Sequence, residues 1–251
     1  MDFRKLAVLA LLFVLGGLVQ ARELRAIFNT DKPPFSFRDE RGVNTGIEVD
    51  LMRTLLARMG HTLTVRTVPN NRLLVELITG QADIAVTVSG SDDEQLFFSD
   101  DFITFVNVAI SKKSRNVSMR GIADLGNYTF VIWQRGWRDL GPEFESIYKP
   151  DASNRFRSNY YEVDSQEVQS RMFWLNRTDL IVVDKTIFQW YQRILANTLK
   201  IDEEVVYHDI FHSRTGFPVA FRDRKLRDRF NQELRKIRAD GTYQKILDKY
   251  K

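Results

Sequence analysis

The sequence contains no cysteine. This excludes disulfides, a lipid attached to a cysteine after export, and thiolate metal sites. Histidine is almost absent, at three residues. His208, Asp209 and His212 stand close together, but they lack the helical His-Glu-x-x-His spacing of a zinc site, so no metal is expected. No Gly-x-Ser-x-Gly elbow and no phosphate loop occur, and Gly90 and Gly136 are isolated turn glycines. Charge of one sign is not concentrated: 37 Lys and Arg against 33 Asp and Glu give +4, with acids and bases intermixed, which argues against a nucleic-acid surface. Long apolar runs are lacking too. The one unbroken run, Leu6 to Leu18, is shorter than the roughly 20 residues that span a bilayer.

That run has a charged start, Arg4-Lys5, and a small-residue end, Val19-Gln20-Ala21, so residues 1–21 read as a cleaved signal peptide. A soluble, freely diffusing periplasmic chain is expected, stabilised by its core alone.

The remainder alternates strand and helix signals. Leu24 to Phe28 is a strand stopped by Pro33-Pro34, and Ile47, Leu51, Leu55 and Met59 form a helical stripe closed by Gly60. Leu63 and Val65 alternate with threonines, Arg72 to Thr79 is a short helix, and Ala82 to Val88 is a β-branched strand. After an extended stretch from Phe102 to Ile110 a second series follows. It has strands at Tyr128 to Trp133 and Leu180 to Val183, a helix capped by Ser165, and another from Thr186 to Leu195. A strand from Gly216 to Phe221 and two last helices, with Leu226, Phe230, Leu234 and Ile237 on one face of the first, end the chain. This order predicts an α/β fold with mostly parallel sheets in two lobes.

Eight short motifs in fixed order then become informative. They are Pro33-Pro34-Phe35-Ser36-Phe37, Gly46-Ile47-Glu48-Val49-Asp50-Leu51, Gly80-Gln81-Ala82-Asp83-Ile84-Ala85, Phe98-Ser99-Asp100, Ile122-Ala123-Asp124-Leu125, Gln134-Arg135-Gly136, Asp179-Leu180-Ile181-Val182-Val183-Asp184 and Ala239-Asp240-Gly241-Thr242-Tyr243. Together they resemble the periplasmic solute-binding proteins that serve polar amino acid importers, family 3 of the solute-binding proteins. The resemblance implies a type II periplasmic-binding fold. Residues 22–107 and 207–251 would form one lobe, residues 108–206 the other, with two crossing strands between them and a ligand cleft that closes by hinge motion. It implies a monomer without cofactor, a small polar solute, and a partner that is either the membrane permease of an ABC importer or a sensor protein.

Carried over residue by residue, the resemblance places Thr87 and Ser89 at the ligand and Asp184 where an acid meets the ligand ammonium. From the residues themselves, Asp184 could equally cap the helix after it. Arg135 and Arg138 flank Gly136 near a helix start and suit an anionic group. The chain departs from the family pattern elsewhere. Asp92 stands at the position of the arginine that clamps the ligand carboxylate, which favours a cationic or neutral solute. Lys32 and Asn70 stand where two aromatics sandwich the ligand, and Trp137 is a candidate replacement. A carboxylate could still bind through Lys32, Arg135 or Arg138, so solute charge stays open. An enzyme resembling cyclohexadienyl dehydratase is the lesser alternative, with Asp184 as its only obvious acid, and no catalysis is expected.

Overall fold

The computed structural model describes residues 21–30, 32–88, 93–211 and 214–250. The signal-peptide segment before Ala21 and the candidates Ser89, Asp92 and His212 lie outside them.

Strand β1 (Glu23–Asn29) alternates outward and inward residues at its start and is buried from Ala26 to Phe28. Its end leads into a turn in which Lys32 and Ser36 pair, Lys32 N donating to Ser36 O at 2.7 Å. The small hairpin β2 (Phe37–Arg38) and β3 (Asn44–Thr45) follows, then helix α1 (Ile47–Arg58). The stripe Ile47, Leu51, Leu55 is fully buried, together with Val49, Met52 and Leu56. Gly60, at φ 80°, ends the helix in the left-handed region.

Strand β4 (Thr62–Val68) keeps Thr62 and Thr64 on the exposed face, with Thr67 half-buried beside Leu63 and Val65 on the other. A single 3₁₀ turn leads into α2 (Leu73–Ile78), then β5 (Ile84–Ala85) and β6 (Phe97–Phe98). The strand expected over Ala82 to Val88 is cut to two residues because Thr87 turns left-handed, at φ 55°. The extended stretch from Phe102 likewise divides at Val106 into β7 (Ile103–Phe105) and β8 (Asn107–Lys112).

The middle of the chain supplies β9 (Phe130–Trp133), α3 (Pro142–Tyr148), β10 (Tyr160–Val163), α4 (Gln166–Trp174), β11 (Leu180–Asp184), α5 (Lys185–Leu195) and β12 (Val205–His208). Ser165 Oγ accepts from Val168 N at 3.3 Å, the predicted cap of α4. The final strand splits around Pro218, which has no N–H to give, into β13 (Thr215–Phe217) and β14 (Ala220–Phe221). Helices α6 (Arg224–Ala239) and α7 (Thr242–Asp248) complete the chain.

Two five-stranded sheets result, in the orders β4-β1-β5-β14-β6 and β10-β9-β11-β8-β12. In the first, β1 runs parallel to β4 and β5 while β14 is antiparallel. In the second, β9 runs parallel to β10 and β11 while β8 is antiparallel to β11 and β12. The antiparallel pair β7–β13 crosses between the lobes, Phe105 opposite Thr215 and Phe217 opposite Ile103. Through His208 the chain stays in the second sheet, and Ile210 and Phe211 pack in that lobe's core, so the return runs through β13.

Each sheet is covered on both faces. Alternation sorts the second: Val131, Ile181 and Val183 pack with Phe173 and Phe188, while Phe130, Ile132 and Leu180 pack with Phe144 and Tyr148. One apolar cluster runs from the α1 and α6 face of the first lobe through Phe35 and Phe105 into the α4 and α5 face of the second.

Helix α1 starts on the turn before β2: Ile47 N donates to Pro34 O and Glu48 N to Phe35 O, both at 2.9 Å. Gly46 allows this contact. It has φ 125° and ψ 172°, a region open essentially to glycine, and a Cβ there would overlap the carbonyls of Phe35 and Pro34. Gly46→Ala is therefore expected to cost about 1–3 kcal/mol, read as a lower urea midpoint at unchanged slope.

Candidate functional site

Strands β1, β4, β5 of one sheet and β9, β10, β11 of the other end at the same gap. The residues just past those ends line a cavity of about 810 Å³. Its position follows the rule that open α/β sheets bind ligands beyond their strand C-termini, and its volume lies in the range of small-molecule sites.

From the first lobe come Asn29, Thr30 and Lys32 after β1, Asn70 and Asn71 after β4, and Thr87 after β5. From the second come Trp133, Arg135, Arg138 and Asp139 at and after β9, Asp164 and Gln166 after β10, and Asp184 at the end of β11. Phe105 and Phe217, on the crossing strands, line it between the lobes. Of the sequence-derived candidates, Lys32, Asn70, Thr87, Arg135, Arg138 and Asp184 thus come together. Gly136 and Trp137 do not line the cavity. A Cβ on Gly136 would sit 2.6 Å from Ile132 Cδ1, so glycine there serves close packing against the end of β9. Trp137, 7% exposed, packs in the second-lobe core under Arg138 and Lys149. The aromatic presented to the cleft is instead Trp133, whose Nε1 donates to Asp139 Oδ2 at 3.1 Å.

Asp184 caps α5 and lines the cleft at once. Its Oδ1 accepts from Thr186 N at 2.8 Å and Ile187 N at 3.1 Å, and its Oδ2 from Val106 N at 2.8 Å. Burial pushes its carboxyl above the usual aspartate range, and those three backbone donors and the Lys32 ammonium oppose the shift.

Lys32 occupies an aromatic cage. Its Nζ stands 3.9 Å from the Phe105 ring centroid, 5.7 Å from Phe35 and 5.9 Å from Phe217, a cation–π arrangement. The rings brace one another edge-on, Phe35–Phe105 at 4.8 Å and Phe105–Phe217 at 5.3 Å. Burial draws the ammonium below the ordinary lysine range, while Glu48, Asp184 and Asp139 act to keep it charged.

Sequence reasoning missed Trp133, Asp139 and Asp164 on the cavity wall, and Glu48, which does not line the cavity but acts on the Lys32 charge from behind it. Glu48 is fully buried in the first turn of α1, and neither carboxylate oxygen has a hydrogen-bond partner among the described residues. The Thr87 hydroxyl, close enough to favour the ionised form, is likewise outside hydrogen-bonding geometry. The available signal was an acid on the apolar face of α1, one residue past the Ile47 stripe. Thr87 carries backbone strain as well, because a β-branched residue in the left-handed region is a true outlier, of the kind that gathers at ligand clamps.

No cluster among the described residues could hold a metal, and His208 is engaged by Ser111 Oγ at 2.8 Å.

Burial raises the Glu48 carboxyl above the ordinary glutamate range, with the Lys32 charge opposing. The folded chain holds that proton more tightly than the unfolded one. Its contribution to stability is therefore full below the unfolded value of roughly 4.3 and is lost as pH rises through the higher folded value. Asp139 and Asp184, also raised by burial, act in the same sense, whereas Lys32, lowered by burial, adds stability as pH rises. Comparing variants isolates Glu48: between about pH 5 and about pH 8, the melting temperature of Glu48→Gln is expected to fall less, or rise more, than that of the wild type. Parallel curves would show that Glu48 titrates alike folded and unfolded.

Known proteins share this architecture. The chain is 24% identical to the arginine-binding periplasmic protein of Mannheimia haemolytica, over 98% of each chain. It is 23% identical to the arginine-binding extracellular protein ArtP of Bacillus subtilis, over 88% of this chain and 83% of that one. A solved ancestral amino acid-binding protein, described as a precursor of cyclohexadienyl dehydratase, superposes with a TM-score of 0.68 at 22% identity, over 91% of this chain and 95% of that one. The model of the bacterial extracellular solute-binding proteins, family 3, matches residues 24–251. The chain belongs to that family, whose two α/β lobes capture solutes outside the cytoplasm.

Proposed function

We propose that this protein takes up a small polar solute in the periplasm, closes its lobes on it about β7 and β13, and presents the closed form to the membrane permease of an ABC importer. The observation that carries this reading is the convergence of six parallel strand ends from two sheets on one cavity, with polar side chains from both lobes around it. A solute touching Lys32, Asn70 and Thr87 on one side and Arg135, Arg138 and Asp184 on the other stabilises the closed arrangement over the open one, and only such differential contact drives closure.

Binding rather than catalysis is the use this site suits. A general acid must present its carboxyl to the reacting atom, and both Asp184 oxygens are already engaged by the backbone N–H groups of Val106, Thr186 and Ile187. The matched arginine-binding relatives are binding proteins as well. Export through a cleaved signal peptide accounts for the apolar N-terminal run.

The test is thermal melting of the purified mature chain against amino acids, polyamines, organic acids and short peptides. Ligand at about 100 times Kd adds about 2.7 kcal/mol, which for a chain of this size raises Tm by roughly 5–10 °C. Arg135→Ala and Asn70→Ala, both exposed on the cleft rim, are expected to weaken the solute so identified at least about tenfold, or about 1.4 kcal/mol, with the melting temperature of the empty protein unchanged. A panel in which no class shifts the melt would defeat the reading.

A further inference from the structure

The charged groups of the cleft are unevenly occupied. Of the three acids on the wall, Asp184 already accepts three backbone N–H groups, Asp139 accepts the Trp133 indole, and Asp164 lies exposed to solvent just past β10. The three cations facing the same space are Lys32 from the first lobe and Arg135 and Arg138 from the second, and none is in a salt bridge among the described residues. The Lys32 ammonium contacts ring faces, which leaves its N–H donors without a hydrogen-bond acceptor among the described residues. Beside it the Thr87 hydroxyl, 7% exposed and lining the cavity, is also unpaired.

The cage around Lys32 is what a ligand cation would require: three phenylalanine rings with Glu48, Asp139 and Asp184 close enough to act on the charge. The chain has put its own ammonium there. The turn that carries it is fixed by backbone bonds from Lys32 N to Ser36 O and from Phe35 N and Ser36 N to Lys32 O, which anchor the base of the side chain beside the rings. A guanidinium or ammonium solute would meet a like charge at those rings.

We propose that the cleft selects a small organic anion without a cationic group, such as a dicarboxylate. One carboxylate is held by Lys32 and Thr87 of the first lobe and the other by Arg135 and Arg138 of the second, with Lys32 barring cationic solutes by filling the aromatic cage itself. This inference rests on the solute-binding reading above and names the solute class. It assigns Lys32 a double role, as attractive contact for the anion and repulsive contact for the cation, and an anion spanning both lobes links its own capture to closure.

Isothermal titration of the mature chain with glutarate, succinate, arginine and lysine tests it, on the wild type, Lys32→Met and the double variant Arg135→Ala/Arg138→Ala. The wild type is expected to bind a dicarboxylate and neither cationic amino acid. Lys32→Met loses at least about tenfold in dicarboxylate affinity and gains measurable arginine binding in the vacated cage. The double variant, altered only at exposed positions, loses the dicarboxylate without gaining arginine, and so decides the matter if Lys32→Met does not fold. Wild-type binding of arginine or lysine, or dicarboxylate binding indifferent to both variants, would overturn the proposal. Binding of some other class in the wider solute panel with none for dicarboxylates overturns it too, while leaving the solute-binding reading intact; a panel silent for every class removes both.

Discussion

The antiparallel pair of three-residue strands, β7 and β13, is the constraint on which the cleft depends. It is the bridge between the sheets, and its residues are part of the site: Phe105 and Phe217, one from each strand, form two sides of the Lys32 cage. Beside them Gly216 lies against the Asp101 carboxylate, which would have to swing aside for a Cβ at that position. Just beyond β7, the N–H of Val106 is taken by Asp184 from the second lobe, which ties the end of β11 to the crossing. A rotation of one lobe against the other must therefore alter φ and ψ beside residues that line the binding space, so hinge and site are mechanically one unit.

Behind that floor several unfavourable features lie together. A buried carboxyl with no hydrogen-bond partner, a buried unpaired hydroxyl and a threonine in the left-handed region meet at Glu48 and Thr87, and a partly buried ammonium faces them. A buried unsatisfied polar group costs about 1–3 kcal/mol, and strain at a β-branched residue adds about 1–3 kcal/mol. Unpaired buried polar atoms occur elsewhere too, at Ser170 and Trp174 for example, but beside the cleft they coincide with backbone strain, as a site prepared for a polar occupant is expected to show. The Lys32 charge acts on Glu48 and the Glu48 charge on Lys32, so neither group can be changed without shifting the other.

Much of the fold was legible because it rests on periodicity. The four-residue stripe of α1, the stripe Leu226, Phe230, Leu234 and Ile237 of α6, and the Ser165 cap all appear where local pattern placed them. What local pattern missed was set by distant partners. The β-branched run from Ala82 looks like a long strand, yet β5 stops after Ala85, and beyond it Val88 N reaches Pro218 O across the sheet. The candidate site was half legible for a related reason. Residues after strand ends can be found from strand positions, which is why Lys32, Asn70, Thr87 and Arg135 lie in the cleft. Which of two nearby tryptophans faces it depends on a turn that the sequence does not display. Trp133 ends β9 and points into the cavity, whereas Trp137, a few residues on, is carried by a 3₁₀ turn under the second-lobe core. Phe105 and Phe217 read as core residues, since nothing local marks them as a cage for a lysine distant in sequence.

Asp184 shows how two readings that compete in the sequence become one in space. A carboxylate offers about four lone-pair sites; capping α5 and binding Val106 N uses three, and the group still borders the cavity. Its negative charge is balanced by the positive end of the α5 dipole and by three backbone donors before any solute arrives. An acid so compensated contributes less negative potential to the cleft than its formal charge suggests. Asp139 is similarly engaged by Trp133 Nε1 and lies near Arg138. The cations, by contrast, touch ring faces rather than carboxylate oxygens, Lys32 over Phe105 and Arg138 over Trp137, and a ring quadrupole neutralises a cation far less completely than a carboxylate does. Two of the three acids on the cavity wall are thus already answered by N–H donors and the third, Asp164, is exposed to solvent, so the three cations face fewer free carboxylates than the count of charges suggests.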